Sequence, residues 1–146
     1  MYHVAVIGAT GAVGQKMLQV LAELDFPVSR LSAYASARSA GTTVQFKGED
    51  ITIQALTPSI TEDGIDVALF AAGGTISEQY APLLAEKGTL VVDNSSAFRM
   101  QETIPLVVPE VNPQAIQATD RLIANPNCST IQSVVALAPL QSLGFE

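Results

Sequence analysis

The tightest constraint on this chain lies at its start. Val4-Ala5-Val6-Ile7 is a short apolar run, and it stops at Gly8-Ala9-Thr10-Gly11-Ala12-Val13-Gly14. A continuous apolar run closed by glycine predicts a strand buried on both faces, the habit of parallel sheets. Residues 12–24 place Val13, Met17, Val20, Leu21 and Leu24 at helical spacing, so an amphipathic helix follows. The glycines stand at G-x-x-G-x-x-G, a variant of the dinucleotide fingerprint. Gly8 permits the tight turn, Gly11 lets backbone N–H groups approach a pyrophosphate, and Gly14 lets helix and strand pack closely. The bland alternative is a tight turn in a fold that binds nothing. Against it, three glycines at this spacing cost chain entropy without packing anything.

The pattern repeats along the chain. Arg30–Ala35 reads as a second strand. Val44-Gln45-Phe46 and Ile51-Thr52-Ile53 alternate in period two around Lys47-Gly48-Glu49-Asp50, predicting a small hairpin. Val67–Ala72 is another continuous strand, stopped by Gly73-Gly74, and a helix is expected over Ser77–Lys87 with Gly88 as its cap. Leu90–Asp93 and Leu122–Ala124 read as strands, as does Leu106-Val107-Val108 between Pro105 and Pro109. Residues 128–143 read as a closing helix. Strands alternating with helices predict right-handed crossovers and an α/β, Rossmann-like fold: a mostly parallel sheet with helices on both faces. In such sheets ligands bind beyond the carboxyl ends of the strands. Gly8, Ser36, Gly73, Asn94 and Cys128 are all expected on that one edge.

Composition narrows the function. The chain has 146 residues, 48% hydrophobic and 14% charged, enough apolar material for one packed domain and too much for disorder. Seven Lys+Arg against 14 Asp+Glu give a net charge of -7, which argues against nucleic acid and anionic membrane surfaces as partners. One Cys and one His exclude an intramolecular disulfide and a thiolate or imidazole metal cluster, so no metal is expected. No run reaches the ~20 apolar residues of a membrane span. The N-terminus lacks a signal-peptide pattern, and a cytoplasmic location is the expectation.

NAD-binding chains usually carry Asp or Glu at the end of the second strand, for the ribose 2′-hydroxyl. Here that position reads Ala35-Ser36-Ala37-Arg38-Ser39. One guanidinium and two hydroxyls suit a 2′-phosphate, which favours NADP. The alternative is an ordinary solvated arginine. Ala72-Gly73 is a candidate second cofactor loop, or a plain strand-to-helix turn.

Asn125-Pro126-Asn127-Cys128-Ser129-Thr130 precedes Ile131, Val134, Val135 and Ala138, spaced as a helical stripe. Pro126 and Asn127 are helix-start residues, so Cys128 falls in or near a first helical turn. The helix dipole and free amides there favour thiolates, and the same amides could hold an oxyanion. A nucleophilic thiolate that forms a thiohemiacetal, passes hydride to a nicotinamide and leaves a thioester is one reading. A structural cysteine is the other.

These segments, with Asp93-Asn94-Ser95-Ser96-Ala97-Phe98-Arg99 and Pro105-Leu106-Val107-Val108-Pro109-Glu110-Val111-Asn112, resemble in order the bacterial aspartate-semialdehyde dehydrogenase family. The resemblance implies an NADPH-dependent enzyme interconverting aspartyl β-phosphate with aspartate semialdehyde and phosphate, on the route to lysine, methionine and threonine. It implies Cys128 as the nucleophile and Arg99 as the phosphate-binding arginine, where the bland alternative is a surface pair with Glu102. It implies Asn94 and Asn127 as active-site amides, for which a turn-forming asparagine is the competing role. Gly8, Thr10, Gly11, Ala12, Val13, Ser36, Arg38, Ser39, Ala72 and Gly73 are implied as cofactor contacts. Family members are roughly twice this long and form homo-oligomers. Their second domain supplies a catalytic His and an Arg for the substrate carboxylate.

The chain is therefore expected to comprise a dinucleotide-binding domain over 1–127 and, over 128–146, a helix leading towards a catalytic and dimerisation domain. His3, the only His, is expected at the wrong end of the sheet to act as acid or base. Low or absent turnover by this chain alone follows, and an uncovered apolar patch on the closing helix. The alternative is a non-catalytic NADP-binding or regulatory module with a structural Cys. A short-chain reductase would need Tyr-x-x-x-Lys; Tyr80 is followed at that spacing by Leu84.

Overall fold

The computed structural model describes residues 1–144. Strands β1 (Tyr2–Ile7), β2 (Val28–Ala35), β3 (Thr43–Phe46), β4 (Glu49–Ala55), β5 (Val67–Phe70), β6 (Leu90–Asp93) and β7 (Leu122–Ala124) form one sheet in the order β3-β4-β2-β1-β5-β6-β7. Every pairing is parallel except β3 with β4. Helix α1 (Ala12–Glu23) joins β1 to β2, α2 (Gly74–Glu86) joins β5 to β6, and α3 (Cys128–Ser142) follows β7.

Side chains alternate across the pleat. Ala5 and Ile7 of β1 pack with Phe70, Val91 and the α2 residues Tyr80, Ala81 and Leu84 on one face. Val6 packs with Ala33, Ile53 and Leu18 of α1 on the other. The expected α/β sheet with helices on both faces is therefore present. The chain leaves β1 towards β2 on one side and returns to β5 on the other, so the order reverses between β1 and β5, where doubly wound sheets open a crevice.

Most elements lie where their residues predict. The hairpin is tighter than expected: Phe46 pairs with Glu49 across a Lys47-Gly48 turn. Both turn residues have positive φ, 48° and 84°, the primed geometry that matches strand twist. Helix α2 begins three residues before the expected Ser77. It ends as anticipated on Gly88, at φ 93°. The Gly88 N–H donates to Ala85 O and the Thr89 N–H to Leu84 O, at 3.0 and 3.1 Å, a Schellman closure.

One expectation fails. Leu106-Val107-Val108 is no strand. Leu106 makes a single parallel bridge to Ala124, because prolines on both sides remove the donors a longer ladder needs. The stripe expected along α1 holds only in part, since Met17 and Leu21 pack against the core. Gly14 and Leu18 are buried, whereas Val13 and Leu24 are 47% and 74% exposed. On α3, Val135, Leu137 and Leu140 are exposed as anticipated, whereas Val134 is half-buried.

Candidate functional site

The six parallel strands β4, β2, β1, β5, β6 and β7 end on one rim, and the loops there are stitched by backbone bonds. Gly8 N donates to Tyr34 O, Ala71 N to Ile7 O, Asn94 N to Phe70 O, and Asn125 N to Asp93 O, all within 3.1 Å. Gly8, Ser36, Gly73, Asn94 and Cys128 thus lie along the same edge.

At the reversal between β1 and β5 is a cleft of about 350 Å³. Of the anticipated cofactor contacts it brings together Gly8, Thr10, Gly11, Ser36 and Ala72, and it adds Ile76 and Tyr80. The three glycines answer different demands. Gly8 holds φ 89°, and a β-carbon there would stand 2.7 Å from the Ala71 carbonyl. At Gly14 it would stand 2.2 Å from Gly8 O, so the helix lies directly on the loop. At Gly11 it would meet only Gly8 O at 3.4 Å, an ordinary contact. Internal packing therefore does not demand glycine at position 11. Gly11 is the N-cap of α1 and makes no side-chain cap, so first-turn amides are left as donors at the rim. Exposed Ala12 and Val13 stand on that turn. An open approach at Gly11, free helix-end amides and an adjoining cleft fit a dinucleotide pyrophosphate.

Arg38 and Ser39 lie on a turn that starts at Ser36, with Ser39 N donating to Ser36 O at 2.9 Å. Arg38 is exposed and pairs with no carboxylate among the described residues. Gly73 caps α2 at φ 89° and does not line the cleft.

Three strands along, Cys128 is the first residue of α3 and is exposed. Asn127 precedes it as the cap: its carbonyl accepts from Ile131 N at 2.9 Å, and its Oδ1 accepts from Ser129 N at 3.0 Å. The Asn127 side-chain oxygen thus caps the helix. Arg99 bridges the segments that follow β6 and β7. Its Nε donates to Asn125 O and its Nη2 to Asn94 O, each at 3.0 Å. The pairing with Glu102 does not form; a half-buried cation is held here by two neutral carbonyls. Asn125 Nδ2 donates to Asn94 Oδ1 at 2.6 Å.

Below them, fully buried Asp93 accepts from Ser77 Oγ and Ser95 Oγ, at 2.6 Å each, and from Ser95 N at 3.2 Å. These bonds set the loop that carries Asn94 and Arg99. Reading the sequence did not single out Asn125, Asp93 or Ser77. Only the Asn-Pro-Asn spacing hinted at the first, and the other two depend on tertiary proximity.

His3 is at the start of β1, on the opposite rim, and is buried. Its Nδ1 is 3.1 Å from Gly64 O and its Nε2 2.8 Å from Ser32 Oγ. Among the described residues, no group of three or more His, Cys, Asp or Glu could hold a metal ion, and no helix is long and apolar enough to cross a membrane.

A doubly wound sheet with a glycine loop at its point of reversal defines a class: dinucleotide-binding, Rossmann-like domains. Residues 3–119 match the family described as semialdehyde dehydrogenase, NAD binding domain, and the chain belongs to that family. It is 53% identical over 141 residues to an aspartate-semialdehyde dehydrogenase of Aquifex aeolicus, covering 95% of this chain and 42% of that protein. The crystal structure of aspartate semialdehyde dehydrogenase II complexed with ASA from Vibrio cholerae is 49% identical, with a TM-score of 0.89 over 97% of this chain and 47% of that one. That of the Candida albicans enzyme with NADP is 28% identical, with a TM-score of 0.80 over 97% of this chain and 47% of that one. The chain thus spans less than half the length of these relatives.

Proposed function

We propose that this chain is the NADP-binding part of an aspartate-semialdehyde dehydrogenase, with its nucleophile attached. The observation that carries the reading is the shared rim: an exposed Cys128 at the start of α3 and the Gly8–Gly14 loop lie on one edge of the sheet. Three inter-strand spacings separate β1 from β7, about 14 Å. A dinucleotide lying across the crevice runs from one towards the other.

In this reading Gly8, Thr10, Gly11, Ala12 and Val13 would hold the pyrophosphate, and Ala72, with Gly73 at the α2 cap beside it, would border the nucleotide. Ser36, Arg38 and Ser39 meet the 2′-phosphate. When bound, NADP supplies the hydride acceptor. Cys128 Sγ forms a C–S bond to the aldehyde carbon of aspartate semialdehyde, giving a thiohemiacetal whose oxygen rests against helix-end amides. After oxidation the carbon is a thioester of Cys128. Inorganic phosphate, oriented by the Arg99 fork, attacks it. The new C–O bond gives aspartyl β-phosphate, and the C–S electron pair returns to Cys128 as thiolate. Asn94 and Asn127 stand as amide donors beside these steps.

No titratable side chain of the described residues is hydrogen-bonded to Cys128, and His3 is on the far rim. We therefore assign 1–127 to nucleotide binding and 128–146 to the lead into a second domain that supplies the acid/base. The 146-residue chain alone binds NADP and does not turn over. A comparative titration tests the cofactor half of this reading. NADP should bind at least about tenfold more tightly than NAD, a difference of ~1.4 kcal/mol. Equal affinities would remove the 2′-phosphate assignment.

A further inference from the structure

We propose that Asn125 is a positioning residue: by joining the ends of β6 and β7 it holds the Arg99 guanidinium and the Asn94 amide at the rim, oriented towards an anionic ligand. The inference rests on the reading of Arg99 as an anion-binding group and extends it to a residue that touches neither the anion nor the thiol. Asn125 contacts three residues of the neighbouring segment, Asp93, Asn94 and Arg99. Its N–H donates to Asp93 O at 2.8 Å, its Nδ2 to Asn94 Oδ1 at 2.6 Å, and its carbonyl accepts from Arg99 Nε at 3.0 Å. Asn94 completes the frame, since its own carbonyl accepts from Arg99 Nη2 at 3.0 Å.

The guanidinium is therefore gripped on two of its three nitrogens by carbonyl dipoles. Its remaining fork edge and its full charge are left for a ligand. A half-buried cation compensated only by dipoles favours an anion more than one already paired with a carboxylate. The side-chain hydrogen bond between Asn125 and Asn94 reinforces the backbone bond to Asp93 in coupling the two carbonyls, because residues 94 and 125 follow different strands. A purely structural stitch between strand ends would affect stability and leave Arg99 where it is.

The experiment reads Arg99 directly. In the ¹⁵N-labelled 146-residue chain, the Arg99 Nε–H should give a cross-peak protected from exchange, identified by its loss in Arg99→Lys. Inorganic phosphate should shift it. In Asn125→Ala the peak should lose protection by about tenfold and the phosphate Kd should weaken about 3- to 10-fold, as expected for one lost hydrogen bond. The backbone amides of β1 and β2 should be unmoved.

Unchanged Arg99 protection in Asn125→Ala overturns the proposal, as does a uniform loss of protection across β1 and β2, which assigns Asn125 to stability. If the parent chain shows no phosphate-dependent shift at Arg99, the anion reading fails. The exchange of the Arg99 peak still decides whether Asn125 holds it. Should Asn125→Ala not fold, Asn125→Ser removes the reach of the donor and is read in the same way.

Discussion

A β-carbon at Gly14 would stand 2.2 Å from a backbone oxygen, and one at Gly11 would touch nothing closer than 3.4 Å. Two residues of one motif therefore make opposite predictions. Gly14→Ala should destabilise the chain by about 1–3 kcal/mol, as overpacking does. Gly11→Ala should cost about 1 kcal/mol or less and yet weaken NADP about tenfold or more, because its methyl group would occupy the approach to the first-turn amides. Chemical denaturation and NADP titration on the two variants separate these effects; a large stability loss at Gly11 would show that the loop serves packing alone. Arg38→Ala should lower NADP affinity about 10- to 100-fold, the worth of a charge-assisted bond, and leave NAD affinity unchanged. The glycine roles were legible because they follow from backbone geometry and chain order. The hold on Arg99 was not, since Asn94 and Asn125 meet only when β6 and β7 pair.

At the scale of elements, β2 is tied to the segment before β5 through Tyr34, whose hydroxyl donates to Asp63 Oδ2 at 2.5 Å. Burial, and then the Asp63 carboxylate, push the Tyr34 phenol well above its usual range. Folding thus keeps the proton on to higher pH than the unfolded chain does. The contribution is complete below about pH 10 and is lost as pH rises from there towards the folded-state value. In denaturation curves between pH 8 and pH 11, the parent should lose stability above about pH 10. Tyr34→Phe should lack that component and be weaker by about 1 kcal/mol at pH 8. Identical pH profiles would remove the assignment.

Strands were readable wherever an apolar run met glycine. The α1 face was so only in part, because periodicity shows which residues share a side and not which side the sheet takes. Val13 and Val20 lie with Met17 and Leu69 around a separate apolar groove of about 260 Å³. At Leu106–Val108 the composition was that of a strand, but the flanking prolines overruled it.

Over the whole molecule, chain order alone brought the glycine loop, the Ser36 turn, Asn94 and Cys128 to one rim, because parallel strands must all end on the same side. The same architecture leaves α3 with Val135, Leu137 and Leu140 exposed, an apolar surface of the kind that drives association. The isolated chain should self-associate with rising concentration, and the double substitution Leu137→Glu, Leu140→Glu should abolish this without altering the fold, as sedimentation and circular dichroism would report. The central claim is that nucleotide and thiol share that rim. Its most direct test is the rate of Cys128 alkylation at neutral pH, measured with and without saturating NADP. The account predicts rapid labelling that NADP slows several-fold in the parent, with the half-maximal NADP concentration raised about tenfold or more in Gly11→Ala. A rate indifferent to bound NADP would contradict it.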